Sequence, residues 1–169
     1  MKNIKFLSAI LSLVFVVSIS VSAQTLTSLE GERINIENQT GKVVVLAIGA
    51  TWLPLSTQQI AAVNRLAKKY AGRDVAIYFV ATDSAMPRSK NFASDEVIGK
   101  YAAGNKLTVP ILRDSDGLLT IKKFGVDQLP SFVILDKTGK PATEPFGGIT
   151  TDPKSDIATP LSQAIDRLL

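Results

Sequence analysis

The sequence predicts an α/β sandwich in which helices pack against a mixed central β-sheet. Short apolar runs rich in β-branched residues, such as 43–48 and 75–81, alternate with longer segments whose apolar residues recur every three or four positions. This alternation predicts parallel strands joined by helical crossovers in the first part of the sheet. The later strands are separated by short turns, which favours antiparallel pairing at the end of the chain.

The composition restricts the chemistry that the chain can perform. Its 169 residues contain no cysteine and no histidine. Their absence excludes disulfides, thiolate nucleophiles, Ser/His/Asp triads and ordinary zinc, copper, haem or iron–sulfur sites. The net charge of +4 is too small to indicate nucleic-acid binding. We therefore expect no metal, no cofactor and no nucleic-acid partner.

The first 23 residues have the pattern of a secretory signal peptide. Lys2 and Lys5 precede an apolar run over 6–21, and small residues occupy 21–23. We expect cleavage after Ala23, which leaves one domain over residues 24–169 in the periplasm or outside the cell, without stable membrane insertion. The alternative is an uncleaved membrane anchor, which the serine-interrupted run disfavours.

The elements of the first half follow from turn residues and periodicity. A turn at 30–32 followed by alternating Ile34 and Ile36 predicts an N-terminal β-hairpin. The runs 43–48 and 75–81 are typical of strands buried on both faces. Between them, 57–70 is predicted to be an amphipathic helix with one apolar face, formed by Ile60, Val63, Leu66, Ala67 and Tyr70.

The second half continues the pattern. Ser94 with two following acids predicts a helix start, with Val97, Ile98 and Tyr101 on its apolar face. The remaining predicted elements are a strand at 108–112, a turn at 114–117, a helix at 118–124, a strand at 131–135, a last strand near 141–146 and a helix at 160–168. Pro130 precedes an apolar strand, a position that favours a strand start and a cis peptide bond. The turn at 114–117 is interpreted as an Asx-type turn, because it lacks the remaining spacing of a calcium loop.

Two segments carry a family resemblance. Residues 43–56, VVVLAIGATWLPLS, resemble the strand, turn and helix start of extracytoplasmic thioredoxin-like proteins of the TlpA/ResA kind. In that family Ala-Thr-Trp is followed by Cys-x-x-Cys. Residues 129–140, LPSFVILDKTGK, are similar to the family's cis-proline, strand and Asp-x-x-Gly turn. The resemblance runs from about 26 to 169 and implies a thioredoxin-like sandwich with helices on both faces of the sheet and an N-terminal β-hairpin.

The chain departs from this family at the positions that carry the family's redox chemistry. On the family pattern, Leu53 stands at the nucleophilic cysteine and Ser56 at the resolving cysteine. The family often places Asn or an acid at the position of Ala47 and aromatics at those of Ile48 and Gly49. The family's mechanism needs a thiolate at a helix N-terminus, so we expect no catalytic residue and a redox-inactive protein rather than an enzyme. Ser56 as a nucleophile would need a base that nothing in the sequence provides, and a helix-start hydroxyl or buried polar residue is the simpler interpretation.

The same positions predict an apolar groove. Its expected members are Trp52, Leu53, Pro54, Leu55, Leu129 and Pro130. One interpretation is a groove that holds an extended polypeptide, with the backbone of Leu129 pairing to it as an added strand. The alternative is that these side chains only fill the turn and bind nothing.

Three functions remain open from the sequence. The first is an extracytoplasmic thioredoxin-like protein that lacks the redox dithiol and binds a polypeptide or another extracytoplasmic protein. The second is a redoxin-type enzyme, related to thiol-disulfide oxidoreductases, that uses a partner's cysteines or another mechanism. The third is a structural or assembly subunit whose interface lies elsewhere.

Overall fold

The computed structural model describes residues 25–152 and 155–169, so the predicted signal peptide lies outside the described residues. The strands are β1 (Thr25–Ser28), β2 (Arg33–Asn35), β3 (Val43–Gly49), β4 (Val75–Ala81), β5 (Ile111–Arg113) and β6 (Ser131–Leu135). The helices are α1 (Ser56–Lys69), α2 (Asp95–Gly104), α3 (Thr120–Phe124) and α4 (Ala158–Asp166), and a short 3₁₀ turn occupies Ser115–Gly117. Among the described residues, no helix is both long enough and apolar enough to cross a membrane.

The strands form one mixed six-stranded sheet in the order β2-β1-β5-β4-β3-β6. β3 pairs in parallel with β4, and β4 in parallel with β5, as helical crossovers require. β6 pairs antiparallel with β3, and β1 pairs antiparallel with β2 in the N-terminal hairpin. The predicted mixed α/β architecture and the hairpin are therefore confirmed.

The core lies on both faces of this sheet. All seven residues of β3 are buried, and alternate residues belong to different apolar clusters. Val45 and Ala47 pack on the face covered by α1, α2 and α4, whereas Leu46 and Ile48 pack on the face that holds Phe124 of α3. Helices thus cover both faces of the sheet. A strand that is buried on both faces has a continuous apolar sequence.

Two of the predicted strands differ from the structure. Residues 141–146 make only isolated bridges to β6, at Pro141 and Phe146, because Pro141 and Pro145 have no N–H to donate to a ladder. The strand predicted at 108–112 begins only at Ile111. Thr108 instead donates its N–H and its hydroxyl to Asn64 Oδ1 of α1, at 3.0 and 2.9 Å.

The helices also show two differences from the predicted pattern. Val97, predicted on the apolar face of α2, is 49% exposed, and Ile98 and Ala102 are the buried residues of that helix. α3 begins at Thr120 rather than at Leu118. The Asp114 carboxylate accepts from the Leu119 and Thr120 N–H groups at 3.0 and 2.7 Å, which fixes the helix start two residues later.

Candidate functional site

The two halves of the predicted groove meet at one edge of the sheet. The loop over residues 50–55 leaves the carboxyl end of β3, and Leu129 and Pro130 lead into β6, which runs antiparallel beside it. Ile48 pairs with Ser131, so the loop begins next to Pro130. The Leu129–Pro130 peptide bond is cis, as expected. The fold therefore brings sequence-distant residues 52–55 and 129–130 to the same edge.

Most of the predicted groove residues reach solvent. Trp52 is 49% exposed and Pro54 is exposed, while Leu53, Leu55 and Leu129 are partly exposed. Pro130 is buried, so its side chain is not part of the exposed surface. We call Trp52, Leu53, Pro54, Leu55 and Leu129 the Trp52 surface. None of its members carries a charge.

A buried aspartate that sequence reasoning did not assign to the site fixes the loop of Trp52. Asp83, which is 0% exposed, follows β4, and its two carboxylate oxygens accept from the Thr51 N–H at 3.0 and 3.1 Å. The Thr51 hydroxyl donates to the same carboxylate at 2.5 Å. Trp52 therefore follows a residue anchored by three hydrogen bonds. The available signal was an acid directly after a buried strand, because the carboxyl ends of parallel strands share one edge.

Beneath the loop lies a polar pair at the N-terminus of α1. Ser56 and Gln59 are fully buried. Gln59 Nε2 donates to the carbonyls of Ser131 and Ile48, at 2.8 and 3.2 Å, and so ties α1 to β3 and β6. Within the described part of the chain, Ser56 Oγ and Gln59 Oε1 have no hydrogen-bond partner.

The polar pair occupies space next to a glycine. A Cβ at Gly49 would collide with Gln59 Oε1 and would lie 3.2 Å from Ser56 Oγ. Position 49 therefore has no room for a side chain beside this pair. Within residues 25–152 and 155–169, no general base is hydrogen-bonded to Ser56 Oγ, and the residue is fully buried.

The two buried acids of this edge, Asp83 and Asp114, hold the backbone of neighbouring segments. Besides its N–H acceptors, Asp114 accepts from the Thr120 hydroxyl at 2.6 Å, so its carboxylate serves the start of α3. Within residues 25–152 and 155–169, no group of three or more His, Cys, Asp or Glu could hold a metal ion. The Trp52 surface is therefore an uncharged part of this edge, and its loop is held in place by Asp83.

Comparison with known proteins identifies the relatives of this chain. The model of the AhpC/TSA family matches residues 19–141. The thiol-disulfide oxidoreductase ResA of Bacillus thuringiensis subsp. konkukian is 31% identical over 126 residues, which are 75% of this chain and 67% of ResA.

Solved structures show the same fold at lower identity. A secreted Mycobacterium tuberculosis disulfide oxidoreductase, homologous to E. coli DsbE, aligns with a TM-score of 0.62 and 20% identity over 86% of this chain and 96% of its own. The exposed lipoprotein thioredoxin Etrx1 of Streptococcus pneumoniae aligns with a TM-score of 0.66 and 23% identity over 86% of this chain and 98% of its own. The fold is thus thioredoxin-like. By its sequence match and its ResA relatives, the chain belongs to the AhpC/TSA family of redoxins, although it contains no cysteine.

Proposed function

We propose that this chain is an extracytoplasmic polypeptide-binding protein built on a redoxin scaffold that has lost its dithiol. The observation that carries the proposal is the uncharged Trp52 surface, with the tryptophan half exposed on an anchored loop. Tryptophan and leucine are costly to expose together, and tryptophan is enriched in residues that dominate binding energy at protein interfaces. The surface stands where relatives would place their reactive pair, so loss of the thiols leaves a binding edge without a reaction.

The backbone of Leu129 supports an extended ligand. Among the described residues, neither its N–H nor its carbonyl makes a hydrogen bond. Backbone groups need partners, and a peptide laid beside this segment would supply them as an added strand. Side chains of such a peptide would point alternately toward and away from the Trp52 surface.

The location is proposed from two further features. The first 23 residues have the order of charge, apolar run and small residues that secretory signals have. Two fold relatives are named as a secreted and an exposed protein. Both features favour a protein that acts in the periplasm or outside the cell.

The proposal is tested by placing a charge on the surface. In Leu53→Asp an acid would enter an apolar contact, and we expect partner affinity to fall by about 2–4 kcal/mol. Val97→Asp is the control, because Val97 is an apolar residue of α2 that is 49% exposed and lies outside the Trp52 surface. Wild type and both variants would be used for capture from an extracytoplasmic extract, with thermal melts on each.

A direct measurement then follows the capture. Trp52 is the only tryptophan of the chain, so its fluorescence reports on this surface alone. Synthetic segments of a captured partner should change the Trp52 emission in wild type and in Val97→Asp, and should lose affinity for Leu53→Asp. Identical partners and affinities for Leu53→Asp at equal stability would contradict the proposal.

A further inference from the structure

The apolar character of this edge extends beyond the Trp52 surface. In the described residues, the exposed large hydrophobic side chains other than Trp52 are Met86, Phe92, Val97, Leu118 and Leu119. All of these except Val97 lie in the loops that follow β4 and β5. β3, β4 and β5 are parallel, so these loops and the loop of Trp52 leave the same edge of the sheet.

In the loop after β4, two apolar residues flank two basic residues. Met86, Arg88, Lys90 and Phe92 are all exposed, with Met86 at 66% and Phe92 at 42%. We call residues 86–92 the basic loop. Its ends are closed by backbone hydrogen bonds of Ser84, whose N–H donates to the Asn91 carbonyl at 2.9 Å and whose carbonyl accepts from the Ala93 N–H at 3.1 Å. The loop therefore presents two hydrophobic and two cationic side chains from a defined backbone.

The charges of the basic loop are unmatched. Among the ion pairs of the described chain, none includes Arg88 or Lys90, and no acid occurs between 84 and 93. Exposed acids also lie nearby: Asp95 and Glu96 begin α2 just after the loop, where they pair with Arg113 and Lys100, and Asp116 and Asp127 occupy other loops of this edge. Asp116 accepts from the Ser84 hydroxyl at 3.2 Å, which places it at the base of the loop. The unpaired positive charge of Arg88 and Lys90 thus lies in the loop next to the Trp52 surface.

The basic loop is continuous with the Trp52 surface. Asp83, three residues before Met86, holds Thr51 beside Trp52. Ala85 donates its N–H to Ser115 Oγ at 2.8 Å, which joins the loop after β4 to the loop after β5. A ligand extended along this edge would therefore meet the Trp52 surface first and the basic loop next.

We infer that the polypeptide bound at the Trp52 surface is an acidic, apolar segment whose carboxylates pair with Arg88 and Lys90 while its apolar side chains contact Met86 and Phe92. This inference rests on the proposed function and adds the chemical class of its ligand. Charge complementarity at an interface sets specificity and association rate, so partner choice is where these cations should act.

The test uses synthetic peptides of about ten residues, long enough to lie along the edge as an extended strand. They would alternate leucine or valine with aspartate, serine or lysine, and binding to the full protein would be followed by Trp52 fluorescence. We expect the aspartate peptide to bind best and the lysine peptide worst. Added salt should reduce this difference, because exposed ion pairs are screened.

Charge variants of the basic loop make the test specific. Arg88→Gln with Lys90→Gln should weaken the aspartate peptide about threefold to tenfold and leave the serine peptide unchanged, as expected for two exposed pairs. Arg88→Glu with Lys90→Glu should invert the preference toward the lysine peptide. Lys42→Gln with Lys68→Gln removes the same charge at the opposite edge, before β3 and in the last turn of α1, and should change nothing.

The outcomes separate this inference from the proposed function. If all peptides bind equally and the loop variants behave as wild type while Leu53→Asp abolishes binding, the ligand class is wrong and the polypeptide site stands. If no peptide binds at any charge, both are overturned. If the loop variants alter only co-sedimentation with vesicles of anionic phospholipid, the basic loop contacts a membrane and the inference is overturned.

Discussion

Single residues decide what chemistry remains at the edge of the sheet. Leu53 has no ionisable group, and the buried hydroxyl of Ser56 makes no hydrogen bond to any of the described residues. The turn that joins them is nevertheless closed, because the Ser56 N–H donates to the Leu53 carbonyl at 3.1 Å. The turn between residues 53 and 56 is thus closed by its backbone.

The first prediction concerns redox activity. With the wild type present, insulin disulfides should be reduced only at the uncatalysed rate, because no residue of the chain can form a mixed disulfide. Leu53→Cys with Ser56→Cys should give turnover if the closed turn suffices for thiol chemistry. Turnover by the wild type above buffer, abolished in Ser56→Ala, would contradict the prediction.

The second prediction concerns the buried serines. Ser56 Oγ is unpartnered within the described residues, whereas Ser131 Oγ, equally buried, donates to the Phe146 carbonyl at 3.1 Å. Ser56→Ala should therefore raise the free energy of unfolding by about 1 kcal/mol, and Ser131→Ala should lower it by about 1 kcal/mol. Urea unfolding of the two variants measures both signs. Equal destabilisation by both substitutions would show that Ser56 Oγ is satisfied.

At the scale of elements, a turn and a pair of helices make contacts between distant parts of the chain. Gly139, in the turn after β6, has a φ of +82°, and a Cβ there would collide with the Glu37 carbonyl. Tyr70 at the end of α1 reaches Asp166 and Ser162 of α4, at 2.8 and 3.0 Å. Both contacts join segments that are far apart in the chain.

The third prediction compares two glycines. Gly72 also has a positive φ, +75°, but nothing lies within 4 Å of a Cβ there. Gly72→Ala should cost about 1–2 kcal/mol, which is the strain of the left-handed conformation alone. Gly139→Ala should cost at least about 1 kcal/mol more, because its methyl group meets fixed backbone. Equal midpoints in urea would mean that residue 37 moves away freely.

The fourth prediction concerns acid stability. Hydrogen bonds from Lys69 and then from Tyr70 hold the pKa of the Asp166 carboxyl below its ordinary value. A lowered folded-state pKa contributes stability above the ordinary aspartate pKa of about 4, and this stability is lost as the pH falls through the folded pKa. Asp166→Asn should therefore be less stable than wild type near neutral pH and should approach it in acid. The effect should be modest, because Asp166 is partly exposed.

The measurement is urea unfolding of both proteins over an acid pH series. A difference between wild type and Asp166→Asn that stays constant through the acid range would contradict the assignment to the ionised carboxylate.

At the scale of the whole molecule, one sheet carries two apolar clusters and the edge at which we propose binding. Phe132 of β6 packs with α1 and α4, while its neighbour Val133 packs on the opposite face. The loop of Trp52 is tied to β4 through Asp83, and α1 is tied to β3 and β6 through Gln59. The edge should therefore unfold together with the core.

The fifth prediction tests this cooperativity. Phe132→Ala removes a fully buried ring and should cost about 3–5 kcal/mol. Circular dichroism and Trp52 fluorescence should report the same lowered midpoint, because both depend on one transition. Fluorescence that changes at lower urea than circular dichroism would show that the edge opens independently.

The sequence by itself determined the fold class and the absence of thiol and imidazole side chains. The apolar runs of β3 and β4, the periodicity of α1 and the Leu-Pro-Ser segment before β6 predicted these elements to within a few residues, because burial on two faces or one stripe leaves a local pattern. The absence of cysteine needs no structure to interpret. Local patterns failed where a distant partner competes, as Asn64 does for Thr108.

Only the tertiary structure showed which contacts hold the candidate site in place. The Asp83 anchor of Thr51, the burial of Ser56 and Gln59, and the joining of the basic loop to the Trp52 surface all depend on which strand ends are neighbours. Strand order comes from packing across the whole sheet, and no window of sequence contains it. The sequence thus predicts the elements and shows the absence of cysteine, while the folded sheet brings together the residues on which the proposed binding depends.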